Sequence, residues 1–281
     1  MEYQRKLHLH LVSDSTGETL DGLVQAALVQ FEGVETIKHY WPLIRSAKQM
    51  DRVLEDISDD HGLVLYTLVN EDIRKTLEQG CQARGLPVLA IMEPLINLLG
   101  SYLGIQPKGQ AGRQHILDEN YFNRIEALDY TMAHDDGQLT EDLHMADIIL
   151  VGVSRTSKTP TSIYLANKGF KTANIPFVPN CPMPAMLDTT KQFVIGLTTS
   201  PDRLSQIRTN RLNSLNEKGV TDYTEIDMIK DEVKACRIYC RDRGWQVLDV
   251  TRRSVEESAA AIINKYYAWV EKKSVEGKPE A

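Results

Sequence analysis

Asp147-Ile-Ile-Leu-Val-Gly152-Val-Ser-Arg-Thr-Ser-Lys158-Thr159 is the stretch whose reading decides the fold. An apolar run of strand length ends at Val151, a polar turn opens on Gly152, and a helical run over Thr161–Asn167 follows. The segment fits G-x-x-x-x-G-K-[ST] with one departure, because Ser157 stands where the second glycine belongs. Backbone N–H groups in such a turn point inward, and the helix start adds partial positive charge, so the turn cradles an anion. Gly152, Val153, Ser154, Arg155, Thr156, Ser157, Lys158 and Thr159 are therefore the candidate phosphate-binding residues. Lys158 is expected to reach the terminal phosphates of a nucleotide, and the Thr159 hydroxyl to reach Mg²⁺. Ser157 weakens the match, since glycine is favoured where φ is positive or the backbone approaches a ligand closely. Arg155 either adds charge on a phosphate or faces solvent; the sequence leaves both open.

Working outward, the same strand–turn–helix grammar repeats. Before the loop it spells strands at Leu7–Ser13, Thr36–Trp41, Leu63–Leu68 and Pro87–Ile91. Helices are expected at Thr19–Phe31, Ala47–Ile57, Glu71–Arg84 and Leu95–Leu103. Ser15-x-x-Glu18 spells a capping box for the first helix. Gly104–Gly112 reads as a linker, and Asp118–Ala133 as a helix. After the loop come strands near Asn174–Val178, Phe193–Thr198 and Gln246–Val250, with helices from Pro201, near Tyr223–Asp242, and from Ser254. Alternating strands and helices imply parallel βαβ units. The expected fold is α/β, an N-terminal parallel βα unit over 1–104 followed by a C-terminal P-loop nucleotide-binding α/β domain over 146–281. Residues 105–145 are the linker and helix between them. The segment from Trp245 to Glu257 resembles the last strand and helix of small nucleotide and metabolite kinases, or is an ordinary β-turn-α with a Ser254-x-x-Glu257 capping box. The charged tail Lys272–Ala281 is expected to fray.

Composition narrows the partners. The 281 residues are 42% hydrophobic and 25% charged, ordinary for a globular protein. A net charge of -7 without a Lys/Arg run disfavours a nucleic acid or an anionic membrane as partner. The N-terminus lacks signal-peptide character and no apolar run nears the roughly 20 residues that span a bilayer, so a cytoplasmic location is expected. Cys81, Cys181, Cys236 and Cys240 include no CxxC pair. Cys236 and Cys240, one helical turn apart, read as small residues on a packed helix. His8 and His10 point to one side of a strand, a pairing more often structural than metal-binding.

The loop needs carboxylates, and the expected strands at Asn174–Val178 and Phe193–Thr198 offer none. Asp249 is the one strand acid after the loop. Two other places qualify. His134-Asp-Asp-Gly137, at the end of a helix just before the loop strand, can hold Mg²⁺ or accept a hydroxyl proton, or is a polar helix terminus capped by Gly137. Ser13-Asp-Ser-Thr-Gly17 ends the first strand, where open α/β sheets bind ligands, or is a well-capped turn. Arg203, Arg208 and Arg211 follow Pro201; Arg208 and Arg211 share a helix face suited to phosphoryl groups or to solvent.

Tyr130–Gly137, Gly152–Ala166, Ala173–Phe177 and the Ser13–Gly17 opening together resemble the regulatory proteins of pyruvate, phosphate dikinase, along nearly the whole chain. The related phosphoenolpyruvate synthase regulators share the pattern. The resemblance implies a bifunctional enzyme. It would move the β-phosphoryl group of ADP to a threonine of the dikinase, releasing AMP and inactivating the target. In reverse, inorganic phosphate would attack the phosphothreonine and pyrophosphate would leave. Lys158, His134, Asp135 and Asp136 become the candidate catalytic set, with Asp135 or Asp136 as base or metal ligand and Thr159 at Mg²⁺. Asp14 and Ser15 are candidates for a second wall of the site. The Thr156-Ser157 spelling favours the dikinase over the synthase as target. A small-metabolite P-loop kinase and a non-catalytic nucleotide sensor are the competing readings. Oligomeric state is not legible, a homodimer being one expectation.

Overall fold

Two runs of alternating strands and helices form, each on its own four-stranded parallel sheet. A computed structural model of the chain describes residues 5–109, 119–214 and 223–276. The chain divides into two compact units, Met1–Ile116 and Leu117–Ala281.

The first unit runs β1 (Arg5–Ser13), α1 (Glu18–Leu28), β2 (Val34–Trp41), α2 (Ala47–Asp59), β3 (Leu63–Thr67), α3 (Glu71–Ala83), β4 (Val88–Ala90) and α4 (Glu93–Leu103). Its sheet order is β2-β1-β3-β4, all parallel. Side chains alternate across the pleat. Leu9 and Leu11 of β1 and Leu65 of β3 pack with Leu20 and Val24 of α1. Val12, Val64 and Tyr66 pack on the other side with Met50, Val53 and Ile57 of α2 and Leu77 of α3. Central β3, Leu63–Thr67, is covered on both faces and reads as an apolar run, whereas β1 alternates Leu with His and edge strand β2 stays half-polar.

One expectation at this end is corrected. The Ser15-x-x-Glu18 capping box does not form: α1 starts after Gly17, which is left-handed at φ 85°, and no side chain caps it. Ser15 is turned inward instead. Its amide donates to Ser13 Oγ at 3.1 Å, and its carbonyl accepts from Leu43 N at 3.0 Å.

The second unit runs α5 (Glu119–Ala133), β5 (Ile148–Gly152), α6 (Lys158–Asn167), β6 (Thr172–Pro176), α7 (Met186–Thr189), β7 (Phe193–Thr198), α8 (Pro201–Ser214), α9 (Ile226–Asp242), β8 (Gln246–Asp249) and α10 (Val255–Glu276). Sheet order is β6-β5-β7-β8, all parallel. The chain leaves β5 for one neighbour, β6, and later fills the other side with β7. The carboxyl end of β5 is therefore a topological switch point, where open α/β sheets form their ligand crevice. Ile148 and Leu150 pack toward Leu165 of α6 and Ile262 of α10. Ile149 and Val151 pack toward Val233, Cys236 and Cys240 of α9.

The Ser254 capping box does form: Ser254 N donates to Glu257 Oε2 at 2.8 Å, and Glu257 N to Ser254 Oγ at 3.1 Å. The expectation of fraying from Lys272 is corrected, because α10 continues to Glu276. Lys273 Nζ ties its last turns down, donating to Lys191 O at 2.9 Å and lying 4.5 Å over the Trp269 ring. The remainder of that tail, the end of the Gly104–Gly112 linker, and Asp118 lie outside the described residues. Gly104 itself ends α4 in the left-handed conformation, at φ 65°.

Candidate functional site

Gly152 ends β5 paired with Pro176 on one side and Leu197 on the other. A Cβ here would lie 2.6 Å from Leu197 O and 2.9 Å from Thr156 Oγ1, so no side chain fits. The turn that follows is tight. Arg155 and Ser157 take left-handed φ values of 73° and 59°, and Ser157 stands at the N-terminal boundary of α6 without a side-chain capping bond. Serine thus adopts the conformation for which glycine is the usual choice, at a cost of roughly 1–2 kcal/mol. Thr156 Oγ1 closes the turn by donating to Val153 O at 2.9 Å. The N–H groups of the first turn of α6 have no intrahelical acceptor and carry the positive end of the helix dipole. Gly152→Ala is expected to cost about 1–3 kcal/mol by overpacking against a strand backbone that cannot yield. Urea denaturation of the variant measures it.

Lys158 is buried, with its Nζ donating to Val153 O at 3.0 Å. Burial pulls its pKa down to about 8, and Asp136, Cys236, Asp135 and Glu232 partly offset this. The ammonium is thus held desolvated against the loop it serves.

The HDDG segment reaches the loop along β6. Asn174 N donates to His134 O at 3.0 Å, and Gly137, at φ 79°, packs its backbone on Pro176. This carries Asp135 to Thr159, whose Oγ1 donates to Asp135 Oδ1 at 3.1 Å. Asn174 Nδ2 donates to both Asp135 Oδ1 and Thr159 Oγ1, the latter at 3.0 Å. Asp136, at φ 50°, joins Ser154, Arg155, Ser157, Lys158 and Thr159 in lining a cavity of about 320 Å³. His134 does not line that cavity. It is buried, stacked on Tyr130 at 3.8 Å, and its Nδ1 donates to Tyr130 O at 2.7 Å.

Beneath the loop lies Arg208, 2% exposed. Its guanidinium makes two bonds to the Glu232 carboxylate, at 2.7 and 3.0 Å, and donates to Ser154 O at 3.1 Å and Tyr223 O at 3.2 Å. Arg211 is exposed, so the face shared with Arg208 separates into one buried arginine and one solvated one, and Arg203 is solvated as well. Asp249 is also exposed and accepts from Thr251 N at 2.9 Å.

The Ser13–Gly17 turn belongs to the first unit and is knitted into it. Thr67 Oγ1 donates to Ser13 Oγ at 3.0 Å, Val69 N to Asp14 Oδ2 at 2.7 Å, and Arg45 Nε to Asp14 O at 2.9 Å. Burial pushes the Asp14 carboxyl above the usual carboxylate range, opposed by the Val69 amide. Cys236 and Cys240 are both buried on α9, and their packed-helix reading matches their surroundings.

Reading the sequence alone overlooked Asn174 and Glu232 as members of the site. Asn174 had a legible signal, a fully polar side chain inside an apolar strand. Glu232, on a helix rich in charge, had none.

A Gly-initiated loop at a switch point, with a buried lysine and a threonine paired to a carboxylate, places this chain among α/β proteins with a polar crevice at the carboxyl end of a parallel sheet. The chain belongs to the Kinase/pyrophosphorylase family, whose pattern it matches over residues 9–263. It is 55% identical over 260 residues to a protein of Rhizorhabdus wittichii, an alignment covering 92% of this chain and 95% of that one. A Novosphingobium aromaticivorans protein is 52% identical over 263 residues, covering 93% and 94%. A Sphingopyxis alaskensis protein is 51% identical over 259 residues, covering 92% and 96%. All three carry the name "Putative pyruvate, phosphate dikinase regulatory protein". Among the described residues no helix is long and apolar enough to cross a membrane.

Proposed function

We propose that this chain is a bifunctional regulator of pyruvate, phosphate dikinase, a protein kinase that uses ADP and a pyrophosphorylase that uses phosphate. The observation that carries the reading is the convergence of Lys158, Thr159 and Asp136 on one cavity beside the Gly152–Thr159 loop, with Asp135 bonded to the Thr159 hydroxyl behind it. The relatives' shared name supports the dikinase as target, and the family's description supports two reactions.

Forward, a target threonine Oγ bonds to the β-phosphorus of ADP, the bond from that phosphorus to the bridging oxygen breaks, and AMP leaves. The threonine proton passes to a carboxylate, for which Asp136 is the candidate lining the cavity. In reverse, a phosphate oxygen attacks the phosphothreonine phosphorus, the threonine oxygen takes a proton back, and pyrophosphate leaves. ADP and pyrophosphate both contain a diphosphate, so one loop serves both directions. Lys158 and the α6 N-terminus stabilise charge on the transferred group. Thr159 Oγ1 and the Asp135 carboxylate form an oxygen donor set that suits Mg²⁺. Bound there, the ion would neutralise phosphate charge.

The experiment is incubation with ADP labelled in its β-phosphate and a purified dikinase. Label on a dikinase threonine with AMP released, then recovery as pyrophosphate when phosphate is added, is the expected outcome. Transfer only to phosphoenolpyruvate synthase would change the target. Transfer only from ATP to a small molecule, or nucleotide binding without transfer, would overturn the reading. Within this scheme Asp135→Asn should lower both rates about 10–100-fold by loosening Thr159 and the metal position. Titrating Mg²⁺ should restore part of the loss in Asp135→Asn and none in Asp136→Asn.

A further inference from the structure

The first unit carries a stack of rings that the phosphate chemistry does not use. Alternation puts His8, His10 and Val12 on one face of β1, and the parallel register sets His10 beside His39 and Val12 beside Trp41. His39 stacks on His8 with centroids 5.3 Å apart and on His10 at 4.5 Å. His8 Nδ1 and His39 Nε2 face each other in a hydrogen bond of 3.0 Å, one ring N–H donating to the other ring nitrogen, and a metal ion would take the place of that proton. The Asp60 carboxylate completes the group, its Oδ1 3.7 Å from His8 Nδ1 and its Oδ2 4.0 Å from His39 Nε2.

Asp60 is held there by two devices. Gly62 lets the turn between α2 and β3 press on β1, for a Cβ there would lie 2.2 Å from His8 O. His10, fully buried, supplies the other. Trp41 Nε1 donates to His10 Nδ1 at 3.3 Å, which leaves the His10 proton on Nε2 to donate to Asp60 O at 2.7 Å. The backbone that carries the carboxylate is thus fixed by a histidine whose tautomer is itself fixed.

We propose that His8 Nδ1, His39 Nε2 and the Asp60 carboxylate bind a divalent transition-metal ion, zinc being the best match. Metal–ligand bonds of about 2.0–2.2 Å in a tetrahedron separate ligand atoms by about 3.3–3.6 Å. The nitrogen–nitrogen separation of 3.0 Å lies just below that range, and the nearest carboxylate separations, 3.7 Å to Oδ1 and 4.0 Å to Oδ2, lie just above it, so the site closes when the two rings part slightly and the exposed Asp60 carboxylate turns one oxygen toward both nitrogens. Two imidazoles with one carboxylate suit zinc and its first-row neighbours rather than Mg²⁺ or Ca²⁺. Asp60, 51% exposed, gives the ion a way in and leaves a fourth position for water. Binding requires both facing ring nitrogens to be unprotonated, with the ring protons on His8 Nε2 and His39 Nδ1. Asp60 lies before β3, whereas the Ser13–Gly17 turn lies after β1, so the ion links β1, β2 and the α2–β3 turn away from that turn.

The test uses the full chain stripped with EDTA and titrated calorimetrically with Zn²⁺. One equivalent is expected, together with the visible absorption of tetrahedral Co²⁺ when cobalt is added and its loss on adding Zn²⁺. His39→Gln, on an edge strand, and His8→Gln should each remove that equivalent, while Asp135→Asn keeps it. Where a histidine variant does not fold, ring-nitrogen NMR of the wild-type chain decides: zinc should shift His8 Nδ1 and His39 Nε2 specifically. No uptake by the wild-type chain, uptake unchanged in folded histidine variants, uptake lost in Asp135→Asn, or unmoved ring nitrogens would each overturn the proposal.

Discussion

Lys158→Met should stabilise the second unit at neutral pH while abolishing both phosphoryl transfers. The wild-type ammonium is buried, and its pKa falls from 10.5 to about 8 through loss of solvent. At ~1.36 kcal/mol per tenfold, that gap represents roughly 3 kcal/mol spent holding the charge inside. Methionine fills similar volume without charge, at the loss of the bond to Val153 O. A net gain of about 1–3 kcal/mol is therefore expected once that bond's ~1 kcal/mol is subtracted. The sign with pH follows from proton uptake. Below pH 8 the folded and unfolded chains both carry the proton, and the full penalty applies. Between about 8 and 10.5 the unfolded chain binds more protons than the folded one, so wild-type stability gains on the variant as pH rises. Denaturant midpoints of both proteins at pH 7 and pH 10 measure the convergence. Activity should fall by at least ~10²–10³-fold in each direction, the loss seen when one preorganised charge-stabilising group is removed. A variant that is more stable yet inactive in both directions separates a functional role from a folding one. If one direction survived, a single shared phosphate site would be wrong.

Arg208→Ala should be the most destabilising single change near the loop, at about 3–5 kcal/mol. Its guanidinium is almost wholly buried and its bidentate partner Glu232 is 16% exposed, so truncation leaves a carboxylate without its counter-charge. The Ser154 and Tyr223 carbonyls also lose a donor. Lysine is no remedy, since it lacks the planar fork that meets four acceptors at once. A paired Arg208→Met and Glu232→Leu variant should recover most of the stability, because a buried ion pair and an apolar pair of similar volume differ little. It should not recover tight nucleotide binding, because the bond to Ser154 O would still be missing. Denaturation and ADP calorimetry on the single and double variants distinguish the two effects.

Burial turned one arginine of three into a keystone, and that outcome lay beyond the helical spacing. Arg208 and Arg211 are three residues apart, which settles that their directions are close but not which one meets the core. Arg208 turns inward because Glu232, on α9, waits there with a compensating charge. The same limit governed the Ser15-x-x-Glu18 spelling, whose serine was drawn into the β1 turn instead of capping α1. The Ser254-x-x-Glu257 spelling had no such competitor and formed its reciprocal bonds.

The sequence by itself determined what is local. Apolar runs of strand length, the helices between them, and a Gly-to-Lys-Thr turn joining a buried strand to a helix are set by neighbours in the chain, and all are present. It also flagged His134–Gly137 as a place to look for acids. Only the tertiary structure decided that Asp135 meets Thr159, 24 residues away, and Asn174, 39 residues away. That meeting depends on β6 lying beside β5 and on the HDDG turn packing along β6, which fix distances no spacing encodes. The His8, His39 and Asp60 group was equally hidden, since a parallel register and a crossing helix had to align before two unremarkable histidines faced one carboxylate.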